Sequence, residues 1–165
     1  MPRRINYGQA APGAMSAMMG LQNYIQKSGL EPSLLELVKL RASQINGCAY
    51  CLDMHSKDAR AAGETEQRIY VLSAWREAPF YTPRERAALA WTEAVTLISE
   101  GGISDDLFND VRAQFNEKEL VDLTMAVVTI NGWNRLAISL GADVGSHQPP
   151  ASAASARKHA GASTR

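Results

Sequence analysis

The sequence has no net charge and no long apolar run, and each absence excludes a class of protein. Its 17 basic residues balance its 17 acidic ones, so there is no electrostatic reason to expect binding to nucleic acid or to an anionic membrane. No apolar stretch reaches the roughly 18 residues of a membrane span. The basic start at Arg3-Arg4 is not followed by the apolar segment of a secretory signal. We therefore expect a cytoplasmic protein without membrane or nucleic-acid partners.

Strand signals are also scarce, because no alternating run of β-branched residues is present. The predicted fold class is all-α, in a single domain over residues 1–147, since 165 residues suffice for one domain with its own core. A flexible tail is expected over residues 148–165, which are rich in Pro, Ala, Ser, Lys and Arg. The predicted helices run from Pro12 to Ser28, Pro32 to Asn46, Cys48 to Ala62, Thr65 to Trp75, Thr82 to Glu100, Ser104 to Phe115 and Glu117 to Leu140.

Two of these helices differ in how their side chains are distributed. Plotted at about 100° per residue, the second helix has an apolar side containing Leu37 and a polar side containing Lys39 and Ser43. Glu36 falls at the seam between the two sides. The last helix is apolar almost all round, so it should lie centrally or be buried between subunits. This pattern predicts self-association.

Cysteine is rare, and its placement is the most informative feature of the chain. Cys48 and Cys51 are the only cysteines, and with His55 they follow an i, i+3, i+7 spacing that places all three on one helical face. Cys48 opens the predicted helix, whose N-terminus favours an anion. A thiolate is the reactive form of cysteine, and His55 can exchange a proton near neutral pH. The pattern predicts dithiol redox chemistry, with Glu36 as a residue that could orient His55 or receive its proton.

Other interpretations of the same residues remain open at this point. Two buried cysteines can simply be small apolar side chains. A zinc site is the main chemical rival: Cys48, Cys51 and His55 offer three ligands and Glu36 a fourth, although His147 and His159 lie in or near the polar tail. A third reading is a redox-responsive binding or scaffold protein, in which the disulfide switches assembly.

The arrangement Glu36-x11-Cys48-x2-Cys51-x3-His55 resembles the signature of the alkylhydroperoxidase D (AhpD-like) group of the carboxymuconolactone decarboxylase superfamily. The stretch LLELVKLRASQINGCAYCLDMHSKDARAAGE and the later TINGWNRLAIS are also similar to that family. The resemblance covers roughly residues 20–140. The decarboxylase branch of the superfamily lacks the CxxC pair, so its lactone chemistry fits this chain poorly.

The resemblance implies a helical fold assembled as a homo-trimer or homo-hexamer, and the reduction of hydroperoxides. Cys51 would attack the peroxide and become a sulfenic acid, and Cys48 would resolve it to a disulfide. Glu36 and His55 would act as a proton relay, and a separate dithiol donor would reduce the disulfide. No metal and no other cofactor is expected.

One residue departs from the pattern of the best-known peroxidases in this group. They carry a second histidine directly before the second cysteine, where this chain has Tyr50. Tyrosine does not carry a proton near pH 7. The sequence therefore predicts dithiol redox chemistry more firmly than it predicts reaction with any particular oxidant.

Overall fold

The computed structural model describes residues 3–149, and within that range the chain forms nine α-helices, one 3₁₀ helix and no strand. The predicted all-α class is confirmed. The helices are α1 (Tyr7–Ala10), α2 (Pro12–Gln26), α3 (Pro32–Asn46), α4 (Ala49–Ala61), α5 (Glu66–Tyr70), α6 (Pro83–Thr96), α7 (Ile98–Gly101), α8 (Asp105–Arg112) and α9 (Glu117–Leu140), with the 3₁₀ turn at Leu72–Ala74. Most of the predicted tail, from residue 150 onward, lies outside the described residues. Over residues 3–149, no helix combines the length and hydrophobicity needed to cross a bilayer.

Local capping sets most helix boundaries where the sequence predicts them. Thr82 and Glu85 form a capping box at the start of α6, in which each side chain bonds the other residue's backbone N–H. Asn116 and Glu119 form the same motif at the start of α9. Such boxes satisfy backbone donors that the first turn of a helix leaves unpaired. These four residues therefore fix the entry points of two long helices.

Two predicted helices are each broken in the structure, and those predictions were wrong in extent. The helix expected from Thr65 to Trp75 ends at Tyr70 and continues as the 3₁₀ turn, which directs Leu72 and Trp75 into the core at 0% and 5% exposure. The helix expected from Thr82 to Glu100 stops at Thr96 because Leu97 leaves helical geometry, with φ −103° and ψ 30°. A short α7 follows it. The first helix, α1, was not predicted.

Helix α3 lies at the centre of the bundle, where α4, α6 and α9 all pack against it. Its apolar side is buried as predicted, with Leu37 and Val38 fully inaccessible. Its expected polar side is buried as well, with Lys39 at 8% exposure and Ser43 at 0%. Ser43 accepts a hydrogen bond from the Asn134 amide of α9 at 3.0 Å. A helix with neighbours on all sides thus keeps its polar residues inside by pairing them.

Helix α9 is buried on one side and uncovered on the other. Leu123 and Val127 are fully buried, whereas Val121, Val128 and Ile138 are 59%, 47% and 42% exposed. In the single chain, therefore, the near-uniform hydrophobicity of this helix leaves an apolar stripe without a partner among the described residues.

Candidate redox site

Two residues, Gly47 and Cys48, join the two helices that carry the site. Gly47 ends α3 with a left-handed conformation, φ 67° and ψ 32°, a region in which a residue with a Cβ is strained. Its N–H bonds back to the carbonyls of Gln44 and Ser43, and Cys48 then serves as the N-cap of α4. The tight turn folds α4 back against α3, which is why residues twelve or more positions apart meet.

The two cysteines form a disulfide, with their Cα atoms 5.4 Å apart. The Cys48 sulfur also accepts a hydrogen bond from the Cys51 backbone N–H at 3.3 Å, so it caps α4. Both residues are buried, at 1% and 2% exposure. In the reduced state, the cap position supplies an N–H donor and the positive end of the helix dipole to a thiolate. The spacing and the fold together make a reversible S–S bond chemically possible here.

Glu36 connects two nitrogen donors in the interior. Its Oε2 accepts from Nδ1 of His55 at 3.0 Å, and its Oε1 accepts from the ammonium of Lys39 at 2.7 Å. A carboxylate can only accept hydrogen bonds, so the His55 proton lies on Nδ1. In the neutral imidazole this leaves Nε2 of His55 without a proton, as the nitrogen that can accept one.

The environment of Glu36 keeps its carboxylate charged. Burial raises the pKa of Glu36, but the hydrogen bond and charge of His55 and the ammonium of Lys39 outweigh it, and the net pKa lies below its usual range. The group is therefore ionised at neutral pH, as an acceptor for His55 must be. Burial and charge pairing act in opposite directions here, and pairing prevails.

A cavity of about 350 Å³ opens beside these side chains. Cys51, His55, Glu36 and Lys39 line one part of it, while Cys48 does not. Its other walls come from distant parts of the chain: Tyr7 of α1, Met19, Gln22 and Gln26 of α2, Tyr50, Met54 and Asp58 of α4, and Trp133 and Ala137 of α9. A molecule in this cavity would meet the sulfur of Cys51 and the imidazole of His55 together.

The structure therefore brings together all four residues singled out in the sequence, and it adds others. Lys39 was not predicted as part of the site, because its position on the helical wheel indicated a face exposed to solvent. The signal that could have identified it is its spacing of three residues from Glu36, which is typical of an ion pair on a helix. Tyr7 and Trp133 carry no local signal at all. They reach the cavity only through the packing of α1 and α9.

The zinc reading receives no geometric support. Within residues 3–149, no group of three or more His, Cys, Asp or Glu side chains is arranged to hold a metal ion. His147 instead pairs with Asp58, Nε2 to Oδ1 at 2.7 Å, and His159 lies outside the described residues.

Comparison with known proteins agrees with this fold. Residues 12–94, which carry all four site residues, match the carboxymuconolactone decarboxylase family. The uncharacterized protein YdfG of Bacillus subtilis (strain 168) is 46% identical over 141 residues, which are 86% of this chain and 96% of that protein. A similar crystal structure is that of a protein of unknown function from Agrobacterium tumefaciens, described as a putative antioxidant defence protein AhpD. Its TM-score is 0.85 and its sequence identity is 49%, and the match covers 88% of this chain and all of that one.

A shorter match reaches a relative named for its activity. The alkyl hydroperoxide reductase AhpD of Corynebacterium kroppenstedtii is 40% identical over 53 residues, which are 32% of this chain and 30% of that protein. This short match agrees with the near full-length matches and with the helical architecture. The chain belongs to the carboxymuconolactone decarboxylase family, in its AhpD-like group.

Proposed function

We propose that this protein is a thiol-dependent peroxidase that reduces hydroperoxides through a dithiol/disulfide cycle of Cys51 and Cys48. The observation that carries the proposal is that Cys51 shares a cavity with the Glu36–His55 pair and is placed to form a disulfide with Cys48. A nucleophile, an oriented base and a resolving thiol are the three parts that such a cycle needs.

The oxidation step begins with the Cys51 thiol. The basic Nε2 of His55 takes the thiol proton, and the thiolate attacks one oxygen of the O–O bond. That bond breaks, the departing alkoxide receives the proton from His55, and an alcohol leaves. Cys51 is now a sulfenic acid, oxidised by two electrons. The Glu36 carboxylate holds the imidazole in the correct tautomer and stabilises it while it is charged.

The second step closes the disulfide. The Cys48 thiolate, favoured at the helix N-terminus, attacks the sulfenic sulfur of Cys51, and hydroxide leaves as water after protonation. An external dithiol then returns two electrons and restores both thiols. Because two thiols must be re-reduced in every cycle, a reducing compartment such as the cytoplasm suits the protein.

The cavity supports an organic hydroperoxide as the substrate rather than hydrogen peroxide alone. A volume of about 350 Å³ with Met19, Met54 and Trp133 in its walls can hold a small organic tail beside the reacting oxygen. The peroxide oxygens would lie beside Cys51 and His55.

We also propose that the chain assembles into a trimer or a hexamer. The support is the exposed apolar stripe of Val121 and Val128 on α9, with the exposed Ile98 lining the same surface cleft as Val128. Contiguous apolar surface of this kind is typical of a subunit contact.

Replacing each cysteine by serine tests the cycle. No other cysteine is present in the chain, so every thiol counted by mass spectrometry is assigned without ambiguity. Cys51→Ser should abolish hydroperoxide-dependent oxidation. Cys48→Ser should still consume one equivalent of hydroperoxide and stop at the sulfenic acid, without turnover.

The same experiment separates the alternative of a redox-responsive scaffold. In that case, the disulfide would form and the assembly mass would change between the oxidised and reduced protein, but turnover with hydroperoxide and a dithiol would be negligible in the wild type. Turnover that persists in both serine variants would overturn the proposed mechanism.

A further inference from the structure

The other cysteine of the disulfide, Cys48, lines a separate cleft. Cys48 lines a cleft of about 220 Å³, together with Ala49 on α4, Ile138 on α9, and Ala142 and Val144 in the segment after α9. Cys51 does not line this cleft, just as Cys48 does not line the Glu36–His55 cavity. Each cysteine of the S–S bond thus borders a different opening.

Two residues stand between the openings. Tyr50 and Ala137 line both the cavity and the cleft, and Tyr50 packs against the small buried cluster formed by the two cysteines with Ala137 and Ala142. The tyrosine that replaces the expected second histidine therefore serves as part of a wall. Tyr50 and Ala137 are the part of the wall that the two openings share.

The two openings differ in chemistry. The cavity at Cys51 contains the charged groups of Glu36, Lys39 and Asp58. None of the described residues that line the cleft at Cys48 carries a charge, and Ile138 and Val144 at its mouth are 42% and 52% exposed. Such a surface favours an uncharged, apolar ligand, because a charged one would lose hydration without gaining a partner.

The wall formed by Val144 is held in place. The next residue, Gly145, donates its N–H to Asp53 of α4 at 3.1 Å, and His147 pairs with Asp58 at 2.7 Å. Lys57 donates to the His147 carbonyl at 3.2 Å. These contacts fix the segment after α9 to the outer side of α4, so the cleft is a formed feature of the fold.

We propose that this cleft is the entry site of the reductant, an uncharged thiol or dithiol that attacks the sulfur of Cys48. The inference rests on the proposed dithiol cycle and adds to it the sulfur at which electrons enter. It assigns the two half-reactions to opposite sides of the site, with the hydroperoxide at Cys51 and the reductant at Cys48.

The step balances as a thiol–disulfide exchange. The incoming thiolate bonds to Cys48, the S–S bond breaks, and Cys51 leaves as a thiolate. A second thiol then attacks the mixed disulfide, and Cys48 leaves as a thiolate while the reductant is oxidised by two electrons. The helix N-terminus makes Cys48 a good leaving group and thus favours attack at Cys51 instead. His55 in its protonated form offsets this preference, because it donates its Nε2 proton to the Cys51 thiolate as that sulfur departs into the cavity that they share.

Charged variants at the cleft mouth test the route with simple monothiols. The oxidised protein is reduced by 2-mercaptoethanol, 3-mercaptopropionate or cysteamine, with rates corrected for the thiolate fraction. Val144→Lys should speed reduction by the anionic thiol and slow reduction by the cationic one, and Val144→Glu should do the reverse. Each change should be roughly threefold, the size expected for a partly screened charge at short range. Val144→Thr, of equal size and no charge, is the matched control.

A second measurement locates the attacked sulfur directly. Brief reaction with 2-mercaptoethanol, acid quenching and peptide mass spectrometry should place the mixed disulfide on Cys48. An adduct on Cys51, or charge effects that are equal for the three thiols, would overturn the inference. Loss of hydroperoxide oxidation in the reduced wild type would instead overturn the proposed function, so the two failures are distinguishable.

Discussion

Replacing Glu36 by glutamine tests whether the buried carboxylate directs the proton chemistry of the site. The variant keeps the shape of the side chain and removes its charge. Glutamine can present its NH₂ group to Nδ1 of His55, which favours the tautomer with the proton on Nε2. The nitrogen that should accept the Cys51 proton is then already protonated.

The magnitudes follow from the two contacts that are lost. General acid–base catalysis contributes about 10²–10⁴-fold. Because His55 itself remains in place, we expect the rate of Cys51 oxidation to fall by about 10²-fold, equivalent to about 2.7 kcal/mol. Lys39, with a side chain only 11% exposed, also loses its ionic partner. The free energy of unfolding should therefore fall by about 1–3 kcal/mol.

The assay separates the two effects. Reduced protein is mixed with cumene hydroperoxide in a single turnover, and free thiols are counted after acid quenching, while thermal unfolding gives the stability. Glu85→Gln is the matched control, since the Glu85 side chain is 14% exposed, against 17% for Glu36, and pairs with Arg68. The control should lose comparable stability and keep the wild-type rate. A folded Glu36→Gln protein that oxidises at the wild-type rate would refute the assigned relay.

Three further predictions concern charge and assembly. Lys39→Met should raise the pKa of Glu36, because it removes a cation that lowers this pKa. When the solution is acidified, the rate of Cys51 oxidation should therefore begin to fall at a higher pH in the variant than in the wild type. Glu93 is half-buried and accepts hydrogen bonds from Arg41 at 2.7 Å, from Trp75 and from Arg76. Burial raises the pKa of Glu93, but these donors outweigh it and hold the pKa below its usual range. The carboxylate thus stabilises the fold above its unfolded-state pKa, and this contribution is lost as the pH falls through the lower folded-state pKa. In chemical denaturation, Glu93→Gln should lower the free energy of unfolding by about 2–3 kcal/mol at pH 7. This difference from the wild type should shrink below about pH 4.5. A difference that stays constant with pH would contradict the prediction. Val128→Lys should reduce the molar mass in light scattering to that of the monomer, and an unchanged mass would exclude the α9 stripe as the contact.

Sequence patterns were most informative where local chemistry decides the structure. Thr82, Asn116 and Gly47 mark helix ends because capping and left-handed geometry depend on a few neighbouring atoms. The spacing of Cys48 and Cys51 likewise fixes their proximity once a helix begins there. These features need no knowledge of the rest of the chain.

Tertiary packing decided what the sequence did not reveal. Lys39 is polar and helical, and only the approach of neighbouring helices to both sides of α3 buries it beside Glu36. The break at Leu97 and the 3₁₀ turn at Leu72 also depend on how side chains reach the core. Tyr50 could be recognised as a departure from a related pattern, but its place between two openings is visible only in three dimensions.

The two-residue connection of Gly47 and Cys48 places the redox groups on one short stretch of the chain, apart from the other residues of the cavity. The sulfurs and their proton relay all lie within residues 36–55, on a hairpin of adjacent helices, whereas Tyr7, Met19 and Trp133 enter from remote segments. Substitutions in those remote segments can change the shape of the cavity, and so the molecules that fit it, without disturbing Cys48 and Cys51. A fold built in this way can diversify its substrates while its redox chemistry stays constant.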